Sequence, residues 1–330
     1  MKSSESVSPP ASDADTSPVE SAGIFSMGTL LGLGAAVGYS LANLGLRHVS
    51  EPNDLAWAIW VSCIKASPAA LLAWVIIALR ATRGQQAMPP RKLWLPLLGG
   101  GLLMQFGGNV MFQWALGIGG LVVTVPVVFA AIITTGACLG RIFLNDPLSV
   151  RTLIAMGILI VAICAVTIGA SDATSAVSDS ADFSTVAMAC IIATLSGVAY
   201  GTNGVFIRHV LVSNPISISA TLVMFSTTGT VVLGITSFMT LGPERMIGTT
   251  FDQWMSMLVA GSANALAFFS VGAALKRLSV NRVNLLNATQ NAMCALGGVL
   301  LFHEPFTTPL MIGCGLTIVG ILMMDHGRRT

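Results

Sequence analysis

Ten long apolar stretches dominate this chain of 330 residues and limit what it can fold into. Each contains about 20 mostly apolar residues, the length that crosses the hydrocarbon core of a bilayer as a helix. They lie at 27–47, 55–79, 93–117, 121–144, 150–170, 185–212, 216–241, 254–275, 280–302 and 307–325. Only 9% of the residues are charged, whereas about 25% are charged in soluble globular proteins. The sequence therefore predicts an all-α polytopic membrane protein with ten transmembrane helices.

The two halves of the sequence repeat one another. Segments 39–49 and 200–210 both begin with Tyr and end in Arg-His-Val, at an offset of 161 residues. Downstream, Asp146-Pro147 recurs as Glu304-Pro305 at an offset of 158. We therefore divide the chain into a disordered cytoplasmic tail (1–26), a first five-helix repeat (27–170), an exterior linker (171–184) and a second five-helix repeat (185–326).

An odd number of spans in each half predicts that the second repeat is inverted relative to the first. Charge sets the orientation, because Lys and Arg concentrate on the cytoplasmic side of membrane proteins. With both termini in the cytoplasm, thirteen basic residues lie inside, only Arg47 and Arg245 lie outside, and Lys65 lies within a span. Two inverted five-helix repeats can exchange conformations, which favours transport by alternating access.

Lys65 is the only formal charge deep within a predicted span. An ammonium group there costs at least about 2.5–3.5 kcal/mol, so an intramembrane lysine is a candidate for function. It would hold the carboxylate or phosphate of a substrate. Two structural alternatives stay open: the side chain could reach toward an interface, or it could bond the carbonyls freed by Pro68.

Uncharged polar residues concentrate in the third, eighth and ninth spans. Since amides are unfavourable against lipid, we expect them to face inward, either lining a substrate cavity or bonding between helices. Asn284, Asn287 and Asn291 share one helical face at i, i+3 and i+7. The predicted cavity residues besides Lys65 are Tyr39, Gln105, Asn109, Trp114, Tyr200, Asn264, Asn287, Gln290 and Asn291, with Gln113 on the third-span stripe and Phe268 and Phe269 as apolar walls.

Tyr39 and Tyr200, the only two tyrosines, occupy equivalent positions in the repeat and lie near mid-span. Paired hydroxyls there are expected to line or gate a cavity, or to bond a neighbouring helix. No Asp or Glu lies within a span interior, so proton coupling would have to use His303 and Glu304 at the membrane edge. Asp146 and Glu304 each precede a proline, which also fits structural capping of a helix start.

Other functional classes find little support in the sequence. All four histidines lie at span ends, so an intramembrane hydrolase has no general base at membrane depth. The six cysteines show neither CxxC spacing nor nearby histidines, and we predict no metal site, disulfide framework or cofactor. A net charge of +2 offers no basic surface for nucleic acid. An enzyme or a non-transporting membrane protein remains the less favoured alternative.

Ten spans, the inverted repeat and the acids closing the fourth and ninth spans, Asp146 and Glu304, resemble the EamA-type permeases of the drug/metabolite transporter superfamily. Lys65 falls where many members carry a basic residue. The resemblance covers about residues 27–326 and implies a secondary transporter that exports an amino acid or another carboxylate-bearing metabolite. A sugar or phosphorylated-sugar carrier on the same fold is the alternative. The resemblance also implies a multi-pass protein of a bacterial inner membrane. Its oligomeric state, monomer or homodimer, stays open.

Overall fold

The computed structural model describes residues 26–85, 88–145, 183–214 and 216–304, and some of the residues in 150–165 and 307–319. Every regular element in this described part is helical. The helices are α1 (Met27–His48), α2 (Leu55–Thr82), α3 (Trp94–Leu102), α4 (Met111–Phe143), α5 (Phe183–Ser213), α6 (Ile218–Thr228), α7 (Gly234–Thr240), α8 (Pro243–Ile247), α9 (Phe251–Leu275), α10 (Val280–Asn287) and α11 (Gln290–Phe302). A 3-10 turn, Arg91–Leu93, precedes α3, and π-helical segments, Leu103–Val110 and Gly229–Leu233, join α3 to α4 and α6 to α7.

Six helical stretches among the described residues are long and apolar enough to cross a membrane. They are Met27–His48, Leu55–Thr82, Arg91–Phe143, Ser184–Ser213, Ile218–Thr240 and Phe251–Leu275. The stretch Arg91–Phe143 has 53 residues, about 80 Å of helix and more than twice the thickness of a bilayer core. Gly120 breaks it with a φ of 66° and a ψ of −173°. The fold is that of a polytopic membrane protein, and the count of ten spans stays a prediction.

Polar residues start the helices at the points where apolar stretches begin. The side chains of Ser26, Asp54 and Ser217 accept hydrogen bonds from the first turns of α1, α2 and α6. Thr250 and Gln253 form a reciprocal capping box at the start of α9. Such caps satisfy backbone N–H groups that have no partner within the helix.

Small residues let the helices approach one another closely. α1 packs against α9 through Gly38 and Gly45, where an added Cβ would lie 3.0 Å from Ala267 and 3.1 Å from Ala260. α4 packs against α5 at Gly201, where the added Cβ would lie 2.9 Å from the Ile132 carbonyl. Close backbone approach of this kind is how helices associate in membranes.

Two ends of the helical bundle can be distinguished by their contacts. At one end, Glu304 contacts Arg47 and the backbone that follows Gly120. At the other end, Arg208 donates to the Leu278 carbonyl, just beyond α9. We call these the Glu304 end and the Leu275 end. The tail residues 1–25, Asp146 and the linker residues 171–182 lie outside the described residues.

Candidate functional site

A cavity of about 130 Å³ lies between the helices of the two halves. Its polar lining is dominated by amides and includes both tyrosine hydroxyls. These polar residues are Tyr39, Asn43, Lys65, Asn109, Tyr200, Asn203, Asn264, Asn284, Asn287 and Gln290. Apolar side chains, among them Phe112, Phe129 and Phe268, complete the wall. The cavity therefore combines an apolar wall with convergent polar groups, as small-molecule sites do.

Lys65 is the only charged residue among the described residues that line the cavity. It is 3% exposed, and its Nζ lies 6.0 Å from the centroid of the Phe112 ring. In the described part of the chain, no carboxylate forms an ion pair with this ammonium group. A buried cation without an anionic partner is poorly compensated, so it would attract an anionic group of a ligand.

Bonding to a carbonyl freed by the proline in α2 does not explain the position of Lys65. Pro68 cannot donate to the carbonyl of Ile64, four residues earlier. That carbonyl instead accepts a hydrogen bond of 2.7 Å from the Ser67 hydroxyl. Lys65 lines the cavity, and the Ser67 hydroxyl rather than the Lys65 ammonium bonds the carbonyl that Pro68 leaves free.

A chain of hydrogen bonds positions one wall of the cavity. The Tyr200 hydroxyl donates to Asn109 Oδ1 at 2.8 Å, Asn109 Nδ2 donates to Gln105 Oε1 at 2.8 Å, and Gln105 Nε2 donates to the Phe225 carbonyl at 3.0 Å. Gln105 lies behind the cavity lining, and Gly229 leaves room for its amide. Tyr200 and Asn109 are therefore held in fixed orientations by a residue that does not itself reach the cavity.

Other amides of the cavity lining have unused hydrogen-bonding capacity. Asn203 Oδ1, Asn284 Nδ2 and Asn287 Oδ1 are buried, and no described residue bonds to them. Asn43 donates to Gln290 Oε1 at 3.3 Å. Since a buried polar atom without a partner is costly, these amides are suited to a polar ligand.

The structure brings together seven of the ten residues predicted from the sequence to bind substrate, and Asn284 and Phe268 with them. Gln105, Trp114 and Asn291 do not line the cavity, and neither do Gln113 and Phe269. Trp114 Nε1 donates instead to Asn53 Oδ1, and Gln113 to the Leu46 carbonyl and to Ser50. These last contacts lie at the Glu304 end.

Two lining residues, Asn43 and Asn203, were missed in the sequence. Each lies within one copy of the repeated eleven-residue segment, four residues after Tyr39 and three after Tyr200 respectively. Residues three or four apart share a helical face. The repeat could therefore have predicted both residues, because in each half an asparagine shares a helical face with the tyrosine.

Glu304 forms a buried clamp at the Glu304 end. Its two carboxylate oxygens each accept a backbone hydrogen bond of 3.0 Å, from Leu121 N–H and Val122 N–H, and Arg47 Nε donates to Oε1 at 2.8 Å. A Cβ on Gly120 would lie 2.5 Å from Oε1. The carboxylate thus caps the part of α4 that starts after Gly120. His303, with a φ of 54°, ends α11 beside it.

A second, more exposed ion-pair cluster lies at the same end. Arg245 contacts both Glu51 and Asp54, and its guanidinium lies 5.4 Å from the centroid of the Trp57 ring. Burial alone would raise the pKa of Asp54, but the hydrogen bond from the Trp57 N–H and then the Arg245 guanidinium hold that pKa below its usual value. Asp54 therefore stays ionised throughout the neutral pH range.

Comparison with known proteins agrees with these features. Residues 187–324 match the model of the EamA-like transporter family. A crystal structure of another protein superposes with a TM-score of 0.61 at 16% identity, covering 91% of this chain and 96% of that one. At this identity the likeness shows the fold alone, but it extends over both halves. No curated protein shows significant sequence similarity.

The fold is that of an integral, multi-pass membrane protein, and the match adds a likeness to a transporter family over residues 187–324. Residues 187–324 are similar to the EamA-like transporter family, which confirms the resemblance to EamA-type drug/metabolite transporters. The family suggests a membrane transporter of small solutes.

Proposed function

We propose that the chain is a secondary transporter that moves a small carboxylate-bearing metabolite by alternating access, in the direction of export. The observation that carries this proposal is the uncompensated Lys65 ammonium inside a cavity lined by amides. A carboxylate would pair with Lys65, and an ammonium or hydroxyl group on the same solute would bond to the free amide oxygens of Asn203 and Asn287.

The extent of the cavity supports one state of an alternating-access cycle. Its lining reaches Leu275, the last residue of α9, and Val283, in the first turn of α10. Toward the Glu304 end, the lining stops near Asn43 and Phe112, short of the Glu304 clamp. The cavity therefore extends further toward the Leu275 end than toward the Glu304 end, as expected of a transporter in one facing state.

Helix contacts support the inverted repeat. α1 packs against α9, and α5 packs against α4 and the π-helical segment Leu103–Val110. At the offset of the repeat, α1 corresponds to α5, and α9 to the chain around the π-helical segment. The same pairing therefore occurs twice, each time between an element of one half and an element of the other. With the basic residues of the Leu275 end in the cytoplasm, the structure would be the inward-facing state.

Exchange across liposomes tests this proposal directly. We prepare liposomes that contain the protein and are loaded with unlabelled amino acids and 2-oxo acids. We expect them to take up labelled members of the same pool at a rate well above that of protein-free liposomes. Parallel loading with sugars and sugar phosphates tests the second candidate, because the amide-lined wall also fits sugar hydroxyls. Repeating the assay with an imposed proton gradient separates coupled transport from exchange. Absence of exchange in every pool would contradict the proposal.

Cysteine labelling tests whether Asn287 faces the cavity. In a background whose six native cysteines are replaced by alanine, we expect Asn287→Cys to react with a water-soluble thiol reagent, and an exchanging solute to slow the reaction. Leu296→Cys is the matched control, since Leu296 lies on α11 and is exposed on the outer surface of the bundle. If Asn287→Cys is as unreactive as the control, the residue packs against another helix instead.

A further inference from the structure

A second cavity, of about 590 Å³, lies at the Leu275 end and is separate from the central one. It is formed where α2 and α5 end, where α6 begins and just after α9. The residues that matter here are Arg80, Lys276, Asn214, Ser217 and Val212. None of these lines the central cavity, so neither the transport site nor the clamp at Glu304 accounts for this second one.

Two cations face this second cavity, and no described residue that lines it is acidic. Lys276 Nζ donates to the Ile216 carbonyl at 3.2 Å, which fixes the ammonium at the start of α6. Burial, and then repulsion by Arg277 and Arg80, lower the pKa of Lys276. Because the neighbouring positive charges repel each other, an anion between Arg80 and Lys276 would be stabilised by both.

The rest of the lining supplies polar contacts and an apolar edge. Ser217 caps α6, and the amino-terminal end of that helix adds a partial positive charge on the same side. Asn214 lies beside it, where the chain passes from α5 to α6. On the outer edge, Val212 is 65% exposed and offers an apolar surface to an acyl chain.

We propose that this second cavity binds a phosphate group, either the headgroup phosphate of an anionic phospholipid or free inorganic phosphate. Arg80 and Lys276 contact the phosphate oxygens, as arginine and lysine do in phosphate sites. The serine hydroxyl and the start of α6 complete the site. The site is independent of the proposed transport activity, because it needs neither Lys65 nor the central cavity.

Binding to the purified full-length protein tests the proposal without any transport assay. The probes are inorganic phosphate, measured by calorimetry, and a short-chain phosphatidylglycerol, measured by native mass spectrometry against phosphatidylcholine. We expect at least one phosphate probe to bind, and the double variant Arg80→Gln, Lys276→Gln to weaken its binding by at least about tenfold. Phosphatidylglycerol alone would indicate a lipid site, and inorganic phosphate alone a site for the soluble anion.

The control is the double variant Arg83→Gln, Lys92→Gln. It removes the same charge from exposed positions that do not line the cavity. We expect it to bind both probes as the unmodified protein does, and both double variants to elute as folded, monodisperse protein. The proposal is overturned if neither probe binds, or if the two double variants bind equally well.

Discussion

Lys65→Met is expected to abolish exchange of carboxylate-bearing solutes while the protein still inserts and folds. Methionine preserves the length of the side chain and removes only the ammonium, which leaves a bound carboxylate without its partner. Removing one member of a buried charge pair costs about 2–5 kcal/mol, which corresponds to a loss of about 30-fold to several thousand-fold in affinity. Exchange in liposomes measures the loss, and fluorescence-detected size exclusion measures folding.

The stability of Lys65→Met separates a functional lysine from a structural one. The ammonium is 3% exposed and has no ion-pair partner among the described residues. Replacing it removes a buried charge, so we expect an unchanged or higher melting temperature. Lys65→Arg should retain part of the exchange, and Lys92→Met, at an exposed position, should retain all of it. Normal exchange by Lys65→Met would rule out the anion site.

Much of the helical fold could be predicted from the sequence, because apolar length and capping residues act locally. Ser26, Asp54 and Ser217 stand where apolar stretches begin, and each caps a helix. The burial of Lys65 and of the paired tyrosines in one region was predictable for a similar reason. Polar side chains on an apolar helix must face the protein interior, and the repeat places equivalent residues near one axis.

Departures from regular α-helix explain why only one residue of the predicted polar stripe in the third span lines the cavity. Gln105, Asn109 and Gln113 are four residues apart and share one face of an α-helix. The segment Leu103–Val110 is π-helical, however, with more residues in each turn. As a result Asn109 lines the cavity, Gln105 lies behind it and Gln113 bonds to the Leu46 carbonyl. Nothing in the local sequence marks a π-helix.

The ninth span shows the same effect. Asn284 and Asn287 line the cavity, but Asn291 does not. A turn at Ala288 and Thr289 separates α10 from α11 and ends the regular spacing that placed the three asparagines on one face. Asn291 is 1% exposed and packs within the bundle. Periodicity predicts a shared face only while the helix continues.

The role of Glu304 depended on a contact across 183 residues, which no local pattern could predict. In the sequence, an acid before Pro305 indicates the start of the following helix or a coupling site. In the structure, the carboxylate bonds to Leu121 and Val122 and pairs with Arg47. Gly120 has the positive φ that only glycine adopts readily, and it leaves space for the carboxylate. The three contacts join the two halves at the Glu304 end, beyond the point where the cavity lining stops.

Glu304→Ala is expected to lower the free energy of unfolding by about 3–5 kcal/mol, because it leaves the largely buried Arg47 charge uncompensated. Two backbone N–H groups also lose their acceptor. Thermal or denaturant unfolding in detergent measures the change. Glu244→Ala is the matched control: Glu244 is exposed and forms no ion pair among the described residues, so its removal should change stability by less than about 0.5 kcal/mol.

Further variants distinguish a clamp from a proton site. Glu304→Gln keeps one acceptor oxygen and should be less destabilising than Glu304→Ala. Adding Arg47→Met to Glu304→Gln should recover part of the stability, since no buried charge then lacks a partner. A coupling role predicts the opposite pattern: Glu304→Gln would unfold like the unmodified protein, yet exchange would no longer respond to a proton gradient. The free energy of unfolding therefore distinguishes the two roles before any substrate is known, because only a clamp makes the stability of the fold depend on the charge of Glu304.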